Sequence, residues 1–124
     1  MNRMKLVAAL SLLMTSPQVG AADRLVIRVS PSVAFAPANL VVRAFVTADS
    51  NNRTMTVVAE SSEFYRSSEI QLEGDKAPRT TVFEFRSVPG GQYDVTATLL
   101  GSRGEELGSA LSHVNVIVPA SGGF

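Results

Sequence analysis

The sequence predicts an all-β protein of about seven strands, arranged as two antiparallel sheets packed face to face. Three observations predict it. Apolar residues recur with a period of two in run after run, the signature of strands with one buried face. Polar turns carrying glycine, proline, asparagine and aspartate separate those runs at the short intervals of two-layer β folds. After residue 22, no apolar spacing of three and four is sustained beyond two turns, so a helical reading fails almost everywhere.

The first 22 residues stand apart from this pattern. Arg3 and Lys5 give a positive start, Leu6 to Met14 form an apolar run interrupted only by Ser11, and Thr15 to Ala22 are polar and small. That layout is the one of a cleavable signal peptide. The apolar run is about half of the roughly 20 residues that a membrane-spanning helix needs. Cleavage after Ala21 or Ala22 is expected, which places the mature chain in the periplasm or outside the cell. The expected organisation is a signal peptide at 1–22, one β domain at 23–118 and a flexible tail at 119–124.

Leu25, Ile27 and Val29 alternate with Val26 and Arg28 as a first strand, which Ser30, Pro31 and Ser32 interrupt. Val33 and Phe35 continue it on the other sheet, and the prolines on either side suit an edge. Leu40, Val42, Ala44 and Val46 point one way while Val41, Arg43, Phe45 and Thr47 point the other. Asp49 to Arg53 is a turn of residues that hydrogen-bond their own backbone, and Thr54 to Glu60 is a third strand. Residues 61–80 are less regular, with Ile70 and Leu72 suggesting a short fourth strand and Glu73 to Pro78 a turn. Thr80 to Arg86 forms a fifth strand with Phe83 and Phe85 on one face, broken at Val88 to Gly91. Tyr93, Val95, Ala97 and Leu99 give the cleanest alternation, and Leu107 to Val118 the last strand, with a bulge expected near Gly108 or Ser109.

Removing residues 1–22 from 124 leaves 102, room for one domain. Arg3 and Lys5 leave with the leader, so 11 basic and 11 acidic residues become 9 and 11, a formal charge of −2. Such a balance does not predict nucleic-acid binding, which needs a concentrated basic face. No cysteine is present, so the domain relies on packing and strand pairing rather than disulfides, and a lipidated N-terminal cysteine is excluded. No later apolar run approaches membrane-spanning length.

The run Val88-Pro89-Gly90-Gly91-Gln92-Tyr93-Asp94-Val95-Thr96-Ala97 resembles the entry to the penultimate strand of bacterial immunoglobulin-like, fibronectin-III-like and polycystic-kidney-disease-type domains. In those families a proline-glycine turn leads to a tyrosine whose hydroxyl caps the corner backbone. The resemblance implies that role for Tyr93, and it places Val95 where antibody-type domains carry a cysteine. Val29-Ser30-Pro31-Ser32 and Leu40 to Val46 also resemble the first strands of bacterial immunoglobulin-like repeats. The implied fold is an immunoglobulin-like antiparallel sandwich, an architecture that by itself carries no function.

No catalytic constellation emerges from the residues. His113 is the only histidine, falls on the outer face of the last strand, and has no acid partner identifiable in sequence. There is no G-x-S-x-G turn. Met55 is the one methionine after residue 22, too few soft ligands for a copper-carrier site, and neither a metal nor a cofactor is expected. Glu105-Glu106 and Glu73 with Asp75 lie in turns, where paired carboxylates are ordinarily solvated. Asp49 to Arg53 opens like a calcium loop, but Arg53 stands where a ligand is needed.

One segment offers more than folding. Phe64 and Tyr65 are adjacent and cannot both face inward in an extended stretch, and Arg66 follows. Large aromatic and guanidinium groups favour protein contacts, which makes Phe64, Tyr65 and Arg66 the candidate partner-binding residues. The competing structural reading is that Phe64 closes the end of the domain and Tyr65 lies over an edge strand. The expected function is a secreted, non-catalytic binding or structural module that meets another envelope or extracellular protein. The alternative is a carbohydrate-binding module, for which tryptophan is absent and Tyr65 is the aromatic left over once Tyr93 is used structurally.

Overall fold

The computed structural model describes residues 24–120, so the expected signal peptide and residues 121–124 lie outside the described residues. Eight strands form: β1 (Leu25–Ser30), β2 (Val33–Phe35), β3 (Ala38–Val46), β4 (Thr54–Glu60), β5 (Tyr65–Gln71), β6 (Thr80–Val88), β7 (Gly91–Leu100) and β8 (Glu106–Ile117). They build a three-stranded sheet in the order β1-β3-β6 and a five-stranded sheet in the order β2-β8-β7-β4-β5. Every pairing is antiparallel except that of β2 with β8. Among the described residues no helix is long and apolar enough to cross a membrane.

The period-two pattern decides which side chains meet. Leu40, Val42, Ala44 and Val46 of β3 are buried, as are Phe83 and Phe85 of β6, and they share one core with Tyr93, Val95, Ala97 and Leu99 of β7 and Val114 and Val116 of β8. These are the two inner faces expected from sequence. Leu25, Ala38, Met55, Val57, Ala59, Leu72 and Val88 complete the core. Each large apolar side chain so buried contributes about 1.5–3 kcal/mol, which lets the sheets hold together with no disulfide.

Two bulges adjust the pattern. Ala38 faces Val88 while Leu40 faces Phe85, so β6 carries one extra residue there. Ser87 takes a positive φ of 56° at this bulge, and the Asn39 side-chain oxygen accepts its N–H at 3.0 Å. The kink extends β6 two residues past its expected end and turns Val88 inward. In β8 the extra residue is Leu107, because Leu99 faces Gly108 while Leu100 faces Glu106. Leu107 thereby packs against the core, and Gly108 lies against β1, where an added Cβ would stand 3.4 Å from the Arg24 Cβ.

Sequence expected seven strands, and the eighth is β2, which leaves the three-stranded sheet after Ser30-Pro31 and pairs with β8. Residues 61–80 are more ordered than expected. β5 includes Ile70, but Leu72 lies beyond it, buried, its N–H bonded to the Arg53 carbonyl at 2.8 Å. The expected turn holds a single 3-10 turn at Gly74–Lys76.

Candidate interaction surface

The three residues singled out in sequence separate in the structure. Phe64 is half-buried, and its ring meets the Tyr93 ring in a T-shaped contact with centroids 5.9 Å apart. Arg66 lies over the Phe64 ring, its guanidinium carbon 5.0 Å from the centroid, and donates a 2.8 Å hydrogen bond to the Arg86 carbonyl. That bond joins β5 of one sheet to β6 of the other. Tyr65 faces outward opposite Glu60 and is 63% exposed. Alternation explains the split, since Arg66, Ser68 and Ile70 stand opposite the buried Ala59, Val57 and Met55.

Tyr93 is buried, and its hydroxyl donates to the Pro89 carbonyl at 2.8 Å. This is the corner capping implied by the resemblance. The hydroxyl is satisfied within the turn it closes, so the ring can fill the core without leaving an orphaned donor.

On the outer face of the five-stranded sheet, Tyr65, Glu60, Asp94 and His113 stand side by side across β5, β4, β7 and β8. His113 Nδ1 lies 2.7 Å from the Asp94 carboxylate, with both side chains open to solvent. Sequence reading found no acid partner for His113. The partner is fixed by the β7–β8 register, which alternation within either strand does not give.

The same face exposes apolar side chains that the sequence reading placed in strands but not on a binding surface. Val33 and Phe35 on β2 are 58% and 65% exposed, and Leu111 is 57% exposed. Val33 stands opposite Asn115, and Phe35 opposite the exposed Ile117. The signal for them was alternation within a short proline-flanked edge segment, where Ala34 rather than Val33 or Phe35 takes the inner face.

The outer face of the three-stranded sheet is different. Arg28 of β1 stands directly opposite Arg43 of β3, which in turn faces Val82 of β6. The next row holds Val26, Phe45 and Thr80, and Val26, Arg28 and Phe45 line a shallow depression. Glu84 is paired with Arg86 at 3.2 Å. Among the described residues, neither Arg28 nor Arg43 has an acidic partner.

The loops at the end of the sheets are self-contained. The Asp49 carboxylate accepts the Asn51 N–H at 2.8 Å, making the expected hydrogen-bonded turn. The Asn51 side chain donates to the Glu105 carboxylate at 2.9 Å, and the Arg103 N–H reaches the other oxygen at 2.9 Å. The Asn51 amide above all, with backbone donors behind it, holds the Glu105 carboxyl below its ordinary range. No three His, Cys, Asp or Glu side chains come together as metal ligands among the described residues.

No family model and no curated protein matches the sequence. Solved structures do share the fold. A superoxide reductase (neelaredoxin) from Ignicoccus hospitalis superposes with a TM-score of 0.55 at 13% identity, over 86% of this chain and 89% of that one. The human F-spondin reeler domain gives 0.52 at 10% identity, over 77% and 90%. A family 76 glycoside hydrolase from a bovine Bacteroides thetaiotaomicron strain gives 0.52 at 18% identity over 73% of this chain, which spans 20% of that protein. At such identities the likeness is one of all-β architecture, and function has to be argued from the surface.

Proposed function

We propose that the chain is an exported immunoglobulin-like sandwich that works without catalysis, as a protein-binding module at the cell envelope. The strand order β1-β3-β6 against β2-β8-β7-β4-β5 and the Tyr93 to Pro89 hydrogen bond favour the immunoglobulin-like reading. The signal-like residues 1–22 favour export.

One observation carries the binding role. Val33 and Phe35 of the three-residue edge strand β2 and Ile117 of the adjoining β8 present neighbouring apolar side chains to solvent. Exposed apolar groups gathered in one place mark contact sites more often than scattered ones do. An edge strand beside them adds unpaired backbone groups for an extended partner segment. Within the Phe64 to Arg66 segment, Tyr65 is the residue free to contribute, because Phe64 and Arg66 serve the join between the sheets.

Photo-crosslinking from position 33, whose side chain is exposed, in an envelope extract tests this. A discrete protein adduct is expected, lost in Phe35→Lys while the melting temperature stays near wild type. Adducts identical in both proteins defeat the proposal. Retention of a glycan on an array, abolished by Tyr65→Ala, replaces it with the carbohydrate-binding alternative.

A further inference from the structure

We propose that the chain stacks head to tail on copies of itself, seating Arg28 and Arg43 of one molecule on Glu60 and Asp94 of the next. The charged residues differ from the Val33-Phe35-Ile117 patch, so this inference does not rest on the envelope-partner reading, although Tyr65 serves in both.

Two like-charge pairs carry the argument. Arg28 and Arg43 are direct cross-strand neighbours on the outer face of the three-stranded sheet. Glu60 and Asp94 are direct cross-strand neighbours on the outer face of the five-stranded sheet. Like charges placed opposite each other destabilise an isolated sheet. A single molecule therefore carries two unfavourable arrangements of opposite sign on opposite faces, and contact between copies converts both into attraction.

The spacing matches. Each pair sits on adjacent antiparallel strands, so both repeat at the interstrand distance of about 4.8 Å. Two guanidinium groups on that repeat meet two carboxylates on the same repeat one to one, with the fork geometry that suits arginine and carboxylate. The Asp94 oxygen bonded to His113 is Oδ1, which leaves Oδ2 to accept from an arginine of the next molecule.

Apolar flanks match as well. Beside the arginines lie Val26, Phe45 and Val82, and beside the carboxylates Tyr65 and Leu111. Since the two surfaces are different, the contact is heterologous and adds molecules in one direction, as a ring or an open chain. Its ionic part weakens as salt shortens the screening length.

Sedimentation velocity on the purified protein over a concentration series, at low and high salt, reads the association. Wild type is expected to shift to larger species with concentration, less so at high salt. Arg28→Glu with Arg43→Glu, and separately Glu60→Lys with Asp94→Lys, should each weaken self-association by roughly tenfold or more. Mixed in equal amounts, the two charge-reversed variants carry complementary faces at both ends and should assemble again. The neutral pairs Arg28→Ala with Arg43→Ala and Glu60→Gln with Asp94→Asn, mixed together, retain one good face each and should stop at a one-to-one dimer. Melting curves like wild type, together with the milder pairs Arg28→Ala with Arg43→Ala and Glu60→Gln with Asp94→Asn, separate association from misfolding. The proposal is overturned if wild type stays monomeric up to about 1 mM, if the folded variants fail to complement, or if the arginine face binds anionic vesicles while no self-association occurs.

Discussion

Phe64 stands edge-on to Tyr93, with the ring planes 74° apart. This contact fastens a residue with the look of a binding patch to the buried tyrosine that closes the corner before β7. Arg66 then covers Phe64 and reaches the Arg86 carbonyl, so an aromatic ladder runs from the core to the rim and ends on the opposite sheet. The edge-to-face pair contributes about 0.5–1.5 kcal/mol beyond the area it buries.

Tyr93→Phe keeps the ring and its contact with Phe64 but deletes the donor to Pro89. A loss of about 1 kcal/mol is expected in equilibrium urea unfolding. An unchanged midpoint and slope would show that the hydroxyl adds nothing to the corner.

Phe64 and Arg66 should be energetically coupled. A double-mutant cycle with Phe64→Leu and Arg66→Met is expected to give about 0.5–1 kcal/mol of interaction energy, in the range of an exposed cation over an aromatic face. Strict additivity of the two single changes contradicts this pairing.

Gly74 has a φ of 59°, and a Cβ built on it would fall 2.9 Å from the Ser50 carbonyl oxygen. Gly104, with a φ of 79°, has open space around the same position. Gly74→Ala should therefore cost more than Gly104→Ala, about 2–3 kcal/mol against about 1 kcal/mol. Thermal unfolding ranks the two, and equal losses would mean that the loop at Ser50 yields freely.

Glu105 ties the turn after β7 to the loop before β4 through Asn51. Its carboxyl titrates below the ordinary value of 4.5 when folded, so its stabilisation is fully present above that value and is lost as pH falls through the folded value. Glu105→Gln should flatten the part of the stability profile below about pH 4.5. Urea midpoints for the two proteins at neutral pH and near about pH 3 measure the difference, and parallel acid limbs would remove Glu105 from the account.

Much of the layering was legible because alternation within a strand is a local property. Leu40 to Val46 and Tyr93 to Leu99 announce their inner faces without knowledge of any neighbour, and both are buried in the core. Relations between strands were not legible. The pairing of Arg28 with Arg43, of Glu60 with Asp94 and of Asp94 with His113 depends on register, which is set by turn lengths and by the bulge at Leu107 rather than by either partner strand. Phe64 and Arg66 looked available because sequence gives composition but not the neighbouring Tyr93 ring and Arg86 carbonyl that occupy them.

The bulge at Ser87 also shapes how the molecule avoids the wrong company. β6 has a neighbour on one side only, and a straight nine-residue margin of open backbone is a template for fibril growth. The kink spoils that straightness near one end, and the guanidinium from β5 caps the Arg86 oxygen beside it. At this margin, uncontrolled polymerisation through the backbone is discouraged by two side chains of the chain's own.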